Sequence, residues 1–320
     1  MGPWNYWPTF DPNGNRYDQN TYFGRYCHFV NLVNPMRLLA TDTDLNQAKT
    51  LLDGHSKGLK TAATDQQLWE AKELLDMTLH PDTKEKVPAP FRMSAFALVN
   101  VPICVGLMTP NPTIAATLFW QWINQSYNVA VNFANRNASN TMKNEEIMRA
   151  YGIATATSCS IAVGLGQFVK RSGFLSPGVR NLVQRVVPYT AIAVSSSLNI
   201  CLMRADEAVN GIDVRNAAGE VIGRSTVAGK EALFQTVFSR AFLVPVAPLL
   251  LPPLIMSRLN IRNPRLRFAA ELMVINGCIF SALPACIAAF PQVSAIKRTE
   301  LEPALQAKTT EELLYFNKGL

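Results

Sequence analysis

Five uncharged amide side chains, placed in one short stretch, are the most informative feature of this sequence. Between Phe119 and Arg136 (FWQWINQSYNVAVNFANR) they recur at helical spacing, with apolar residues between them. On an α-helix, at about 100° per residue, they fall within roughly 80° of arc. Amides donate and accept hydrogen bonds without carrying charge, which suits a path for a polar solute inside a membrane protein. This amide row consists of Gln121, Asn124, Asn128, Asn132 and Asn135.

The same spacing is typical of an ordinary amphipathic helix with its polar face in water. The two interpretations differ in what surrounds the amide row, which is bulk water in one case and the interior of a membrane protein in the other. The choice between them therefore depends on the elements that position the row.

An arginine within a long apolar stretch is the second candidate for binding chemistry. Arg240 follows Glu231, and the next charged residue is Arg258. Its guanidinium would suit the carboxylate of a solute, because its fork of donors matches two oxygens. If the membrane span instead begins at Ala241, the long side chain of Arg240 reaches the membrane interface. Other amides in apolar segments could complete a site: Asn100, Asn199 and Asn276.

Catalytic, metal and nucleic-acid sites have no comparable support. The six cysteines form no CxxC pair, and the three histidines lack a paired metal-binding spacing. The net charge of +7 does not collect into a basic stripe with interleaved aromatic residues. We therefore expect no enzyme, no metal, no cofactor and no nucleic-acid partner.

The apolar residues lie mainly after residue 90, in five regions separated by short basic loops. A membrane span needs about 20 mostly apolar residues. Helices buried in a soluble bundle would also be apolar, but they usually keep a polar side. We predict an all-α, multi-pass membrane helix bundle of about five spans, with a polar N-terminal helical region. The apolar regions are 94–134, which Pro110 and Pro112 interrupt, then 151–169, 186–203, 232–257 and 268–292.

Three parts of the chain are predicted from this pattern. Residues 1–90 form a soluble region with two amphipathic helices, of which the second begins with the capping box Thr64 to Gln67. Residues 91–295 form the transmembrane bundle, and residues 296–320 form a C-terminal tail. With five spans, the N-terminal region shares one side of the membrane with the basic loops 170–185 and 258–267. If Pro110 to Pro112 is instead a turn between two spans, the basic loops lie on the side of the membrane opposite the N-terminal region.

Small residues in the second apolar region predict close helix packing. Gly152, Ala156, Ser160 and Gly164 recur at every fourth position. Such a ridge lets another helix approach closely within lipid, where no hydrophobic drive brings helices together.

Several motifs, in order from about residue 17 to 302, resemble the sideroflexin family. The most specific are the block that carries the amide row and the motif His80, Pro81, Asp82 and Thr83. The others are TYFGRYCHF at 21–29, FRMSA at 91–95, LMR at 202–204, SR at 239–240 and FPQ at 290–292.

The resemblance implies a multi-pass protein of the mitochondrial inner membrane that transports a small neutral amino acid. Serine, destined for one-carbon metabolism, is the leading substrate, and the lipid bilayer is the surrounding partner. Family members are also linked to tricarboxylate and iron handling and to respiratory-chain assembly. A tricarboxylate or iron-complex carrier and a non-transporting scaffold therefore stay open, as does a homo-oligomer.

The sequence departs from the usual family motifs at four positions. Lys84 replaces a glycine in the usual HPDTGEK, and Phe96 replaces a glutamine. Phe133 and Ala134 stand where the family usually has two hydroxyl-bearing residues, which makes this end of the amide-bearing helix less polar.

Overall fold

The computed structural model describes residues 6–58, 63–80, 83–109, 112–134 and 144–318, with the side chains of residues 181 and 185 excepted. The N-terminal region contains three helices and a short 3-10 turn at Pro35–Leu39. Thr41 with Asp44, and Thr64 with Gln67, form capping boxes at the second and third helices. The helices are α1 (Tyr22–Leu32), α2 (Asp42–Ser56) and α3 (Asp65–Thr78).

A bundle of long apolar helices follows this region. Within the described ranges, four helices are long and apolar enough to cross a membrane, and Met93–Leu107 is a shorter apolar segment. The predicted multi-pass helical bundle is thus confirmed. Its helices are α4 (Phe96–Leu107), α5 (Ile114–Ala134), α6 (Asn144–Arg171), α7 (Pro177–Met203), the short α8 (Ala205–Asn210), α9 (Thr226–Thr236), α10 (Val244–Arg258) and α11 (Pro264–Ile287).

Two of these helices belong to one continuous span. A π-helical segment, Val237–Leu243, joins α9 to α10, so the span runs from Thr226 to Arg258. Helix α5, which carries the amide row, is not one of the four long apolar helices, because its amides lower its mean hydropathy. It nevertheless packs between α4 and α6 inside the bundle.

Contacts between helices establish the direction of each one. The Lys170 ammonium donates to the Pro112 carbonyl, 3.3 Å, at one end of α5, and the Ser126 and Tyr151 hydroxyls lie 2.8 Å apart near the other. Helices α5 and α6 are therefore antiparallel. The Tyr189 hydroxyl donates to the Phe242 carbonyl and Arg204 donates to the Thr236 hydroxyl, so α7 runs antiparallel to the α9–α10 span.

The bundle consequently has two unlike ends. The domain end carries the N-terminal region, the connection 204–225 and the described residues after 288. The loop end carries the end of α4 at Leu107, the start of α5 at Ile114 and the short connections near 172–176 and 259–263. Helices α4 and α5 are separate and antiparallel, since Phe96 packs on Tyr127 while Gly106 packs on Trp120. The apolar region 94–134 is therefore two helices and not one span. The basic loops 170–185 and 258–267 therefore lie at the end of the bundle opposite the N-terminal region, as expected when region 94–134 forms two spans.

The predicted ridge of small residues is displaced from the packing face of α6. A Cβ added at Gly152 or Gly164 would meet no atom within 4 Å, and Ala156 and Ser160 are exposed. The sequence could not separate the two possible registers, because small residues occur on both faces of this helix. The buried face lies two positions away, at Ala150, Ala154, Ser158 and Ala162.

A small antiparallel sheet covers part of the domain end and was not predicted from the sequence. Its strand order is β2-β1-β4-β3, with Val214 paired to Phe316 and Ile296 paired to Leu314. The Glu302 carboxylate accepts from the backbone N–H of Thr226, 2.7 Å, at the start of α9. The elements are β1 (Ile212–Arg215), β2 (Val221–Ser225), β3 (Val293–Lys297), α12 (Pro303–Gln306) and β4 (Leu313–Asn317), with 3-10 turns at Ala89–Phe91, Met93–Ala95 and Arg298–Glu300.

Candidate functional site

A buried polar network joins α5 to its neighbours at the middle of the bundle. The Ser158 hydroxyl of α6 donates to Gln121 Oε1, 2.7 Å. Gln125 Nε2 donates to the Ser195 hydroxyl of α7, 2.7 Å, and lies 3.4 Å from Ser158 Oγ. Gln121 and Gln125 are each only 1% exposed. Since buried amides are costly without partners, this network of Gln121, Gln125, Ser158 and Ser195 fixes how three helices meet.

Gln125 was not predicted as a site residue, although it is as buried as Gln121. It lies about 100° away from Asn124 on the helix and therefore falls outside the arc of the amide row. The available signal was its spacing of four residues from Gln121, together with serines in the apolar segments of α6 and α7. These serines are too common in helices to identify a partner without the tertiary structure.

We expect Ser158→Ala to destabilise the protein by about 1–3 kcal/mol, because it leaves buried Gln121 Oε1 without its donor. The measurement is the thermal unfolding midpoint of the purified protein in detergent. Ser160→Ala is the matched control, because Ser160 is exposed on the same helix. Equal midpoints for the two variants would show that the polar network contributes nothing to stability.

Three amides among the described residues of the bundle have polar atoms without a described protein partner. Among the described residues, Asn124 Nδ2, Asn199 Oδ1 and Asn276 Oδ1 are buried and make no hydrogen bond. Asn100 differs, because its Nδ2 donates to the Phe96 carbonyl one turn earlier, 2.8 Å. Buried polar atoms are normally satisfied by protein, water or ligand. The first three amides are therefore available to a bound solute.

The amide row becomes progressively more accessible along α5. Gln121 and Asn124 are buried, Asn128 is half-buried, and Asn132 is exposed near the domain end. Asn135 lies outside the described residues. The row therefore leads from the interior of the bundle towards its domain end.

Arg240 lies in the π-helical segment and not at the start of a span. The helix begins at Thr226, so Arg240 has more than three turns of helix before it. Its guanidinium makes no hydrogen bond or ion pair with any described residue. Thr236, one turn earlier, accepts a hydrogen bond from Arg204, 2.6 Å. Segments of π-helix occur frequently at functional sites, and this position keeps Arg240 a candidate for binding.

Arg240 belongs to a cation cluster that also contains Arg25, Arg204 and Lys318. Lys318 is 5% exposed, and its ammonium donates to the Phe290 carbonyl, 3.1 Å. Burial lowers the pKa of Lys318 to about 8, and the positive charges of Arg240, Arg25 and Arg204 also lower it. No sequence pattern pointed to Arg25 or Lys318, which are distant from Arg240 along the chain.

Most members of the cation cluster are held by backbone carbonyls. Arg25 donates to the Ala288 carbonyl, 2.9 Å, and Arg204 donates to the Lys318 carbonyl, 2.6 Å. Among the described residues, the Glu207 carboxylate alone forms an ion pair with the cluster, through Arg204. Since buried charges require compensation, the excess of positive charge around Arg240 favours an anionic group as its partner.

The motif that begins at His80 lies outside the amide row. The Thr83 N–H donates to His80 Nδ1, 3.3 Å, whereas Pro81 and Asp82 lie outside the described residues. Lys84 has a φ of 57°, a left-handed conformation that glycine adopts more readily. His80 and Thr83 line a cavity of about 690 Å³ against the opposite face of α5, and none of its described lining residues belongs to the amide row.

A metal site is not formed by the described residues. Within these ranges, no group of three or more His, Cys, Asp or Glu side chains is placed to hold a metal ion.

Comparison with known proteins gives matches along nearly the whole chain. The profile of the family described as "Sideroflexins" matches residues 11–320. A "Sideroflexin" of Dictyostelium discoideum is 44% identical, covering 99% of each chain. "Sideroflexin-5" of Rattus norvegicus is 40% identical, over 98% of this chain and 93% of the relative, and "Sideroflexin-1" of Mus musculus is 37% identical, over 98% of each. No solved structure gives a significant match.

Proposed function

Because the chain belongs to the sideroflexin family, we propose that it carries a small neutral amino acid, with serine as the first candidate, across the mitochondrial inner membrane. In that role it would supply one-carbon metabolism and perform no covalent chemistry. The observation that carries the proposal is the set of unpartnered polar atoms inside an apolar, multi-pass bundle.

The unpartnered atoms complement the two ends of a zwitterion. An amino acid presents N–H donors on its ammonium group, for which Asn199 Oδ1 and Asn276 Oδ1 are free acceptors. Its carboxylate needs donors, and Arg240 offers a guanidinium that bonds to no described residue. A guanidinium fork pairs with both oxygens of a carboxylate. Asn124 Nδ2 is a further free donor.

The directions of the helices support similar positions along the bundle axis for Asn128, Asn199 and Arg240. The Gln125–Ser195 hydrogen bond aligns α5 with α7, which runs in the same direction. About one turn further along both helices come Asn128 and Asn199. The hydrogen bond between Arg204 and α9 places Arg240 about one turn inward from Arg204, which is close to the depth of Asn199. Asn128, Asn199 and Arg240 are thus proposed as the centre of the site.

Alternating access would require one element of the bundle to move around this site. The span with Arg240 is the best candidate, since its π-helical segment is followed by Pro245, Pro248, Pro252 and Pro253. Prolines and π-helical turns leave backbone carbonyls unpaired within a continuous helix, and freed backbone groups of membrane helices contact solutes in many transporters. We propose that this span changes its packing against α7 and α11 during transport.

We expect Asn128→Ala to lower uptake of labelled serine by roughly three- to tenfold, which corresponds to the loss of one hydrogen bond to the solute. Asn128 is half-buried and has no described hydrogen bond, so the variant should fold normally. The measurement is uptake into liposomes that contain the purified protein. Asn46→Ala serves as control, because Asn46 is exposed on α2, outside the bundle. Unchanged uptake by a normally folded Asn128→Ala protein would remove Asn128 from the site.

The cation cluster favours a second candidate function, namely transport of a tricarboxylate or another anion. Such a carrier would depend on Arg240 and Arg204 for its anionic solute, and the amide row would contribute less. Liposomes supplied with labelled serine or labelled citrate separate the two candidates. Citrate uptake without serine uptake would replace the amino-acid proposal.

A further inference from the structure

The loop end of the bundle carries cations without carboxylate partners. Segments 170–185 and 258–267 contain eight Lys or Arg residues and no Asp or Glu. Five of these arginines are exposed and form no hydrogen bond or ion pair with any described residue. Glu271, one turn deeper in α11, pairs with none of them. We call these residues the arginine collar: Arg171, Arg258, Arg262, Arg265 and Arg267.

Large apolar side chains are exposed beside the arginine collar. Phe174 is 78% exposed, and Leu182, Leu266 and Phe268 are also more than half exposed. Arginines with long apolar stems, placed among exposed apolar residues at the ends of membrane helices, are typical of the level of the lipid headgroups. The collar follows this pattern, because its members lie at the end of α6, at the end of α10, at the start of α11 and, for Arg262, in the connection between α10 and α11.

The opposite end of the bundle has a different charge pattern. There, cations stand beside carboxylates, as in the ion pairs of Arg204 with Glu207 and of Lys86 with Asp42. Carboxylates therefore stand among the cations at the domain end, whereas segments 170–185 and 258–267 at the loop end contain none. Acidic residues also occur throughout the connection 204–225, at Asp206, Glu207, Asp213 and Glu220.

We propose that the arginine collar binds the phosphate groups of anionic phospholipids in the leaflet at the loop end. Each guanidinium can donate two hydrogen bonds to one phosphate, which gives a stronger pairing than a point charge. The exposed Phe174 and Leu266 would contact the acyl chains just below these phosphates. An acidic protein partner would not explain why the cations lie among exposed apolar side chains.

The test compares lipid selectivity in vesicles of phosphatidylcholine that contain the full-length protein. Spin-labelled phosphatidylglycerol and spin-labelled phosphatidylcholine, each present in trace amount, report by electron paramagnetic resonance how strongly each lipid associates with the protein. The wild-type protein should prefer phosphatidylglycerol. Replacing all five collar arginines by glutamine should reduce that preference by roughly fivefold or more, since one cation near an anionic surface contributes about that factor.

The matched control removes the same number of charges elsewhere. Five exposed lysines away from the loop end have no described ion pair, and their replacement by glutamine should leave the preference unchanged. These control positions are Lys49, Lys57, Lys230, Lys297 and Lys308.

Three results would overturn the proposal. The first is an equal loss of preference for phosphatidylglycerol in both five-residue variants, and the second is no such preference in the wild-type protein. The third is loss of the preference when millimolar inorganic phosphate is added, which would indicate a site for free anions instead of lipid phosphates. If the collar variant does not fold, the pair Arg262→Gln and Arg265→Gln provides the same comparison.

Discussion

Replacing Arg240 with glutamine should reduce uptake of labelled serine into liposomes by roughly a hundredfold. Removing one member of a buried charged pair costs about 2–5 kcal/mol, and Arg240 is the proposed partner of the solute carboxylate. Its guanidinium has no described protein partner, so the substitution breaks no internal ion pair. It also removes one positive charge from the cation cluster, which should reduce the electrostatic repulsion on the buried Lys318 ammonium. The folded protein should therefore persist while transport fails.

Two further variants make this result specific. Lys230→Gln removes a positive charge from an exposed position of the same span and should leave uptake unchanged. Arg240→Lys keeps the charge but loses the fork of donors, so it should retain part of the activity. Serine uptake that is untouched in Arg240→Gln, with citrate uptake lost, would support the anion carrier in its place. Loss of abundance in Arg240→Gln alone would indicate a structural role.

A large loss of stability is expected from Gly229→Ala. Gly229 lies on the buried face of α9, where a Cβ would overlap the carbonyl oxygen of Glu207 in α8. Because that atom belongs to the backbone, it cannot turn aside as a side chain would. Overpacking of this kind costs about 1–3 kcal/mol. It would also displace Glu207, the carboxylate that pairs with Arg204. The measurement is the thermal unfolding midpoint of the purified protein in detergent.

Gly277→Ala is the control for this prediction. Gly277 lies within α11, and a Cβ there would meet no atom within 4 Å. Since alanine favours the helix over glycine by roughly 0.5–1 kcal/mol, this variant should be at least as stable as the wild type. A Gly229→Ala protein that unfolds at the wild-type temperature would contradict the close packing of α8 on α9.

For the amide row, the local sequence predicted which side chains share a helix face but not which residues they bond to. Helical spacing predicted that Gln121, Asn124 and Asn128 lie along one side of a helix, because the period of the helix determines which residues are neighbours. The same spacing could not show that Gln121 is held by Ser158, or that Gln125, off the row, bonds to Ser195. The partners of Gln125 lie 33 and 70 residues away along the chain.

Local periodicity, apolar length and specific motifs were enough to predict the helical bundle, the amide-bearing helix and the family. Three features required the folded protein: which face of α6 is buried, at which end of the bundle the basic loops lie, and that Lys318 joins Arg25, Arg204 and Arg240. Each of these depends on contacts between residues far apart in the chain. Small and basic residues are distributed around several helices, and no local pattern specifies which of them meet.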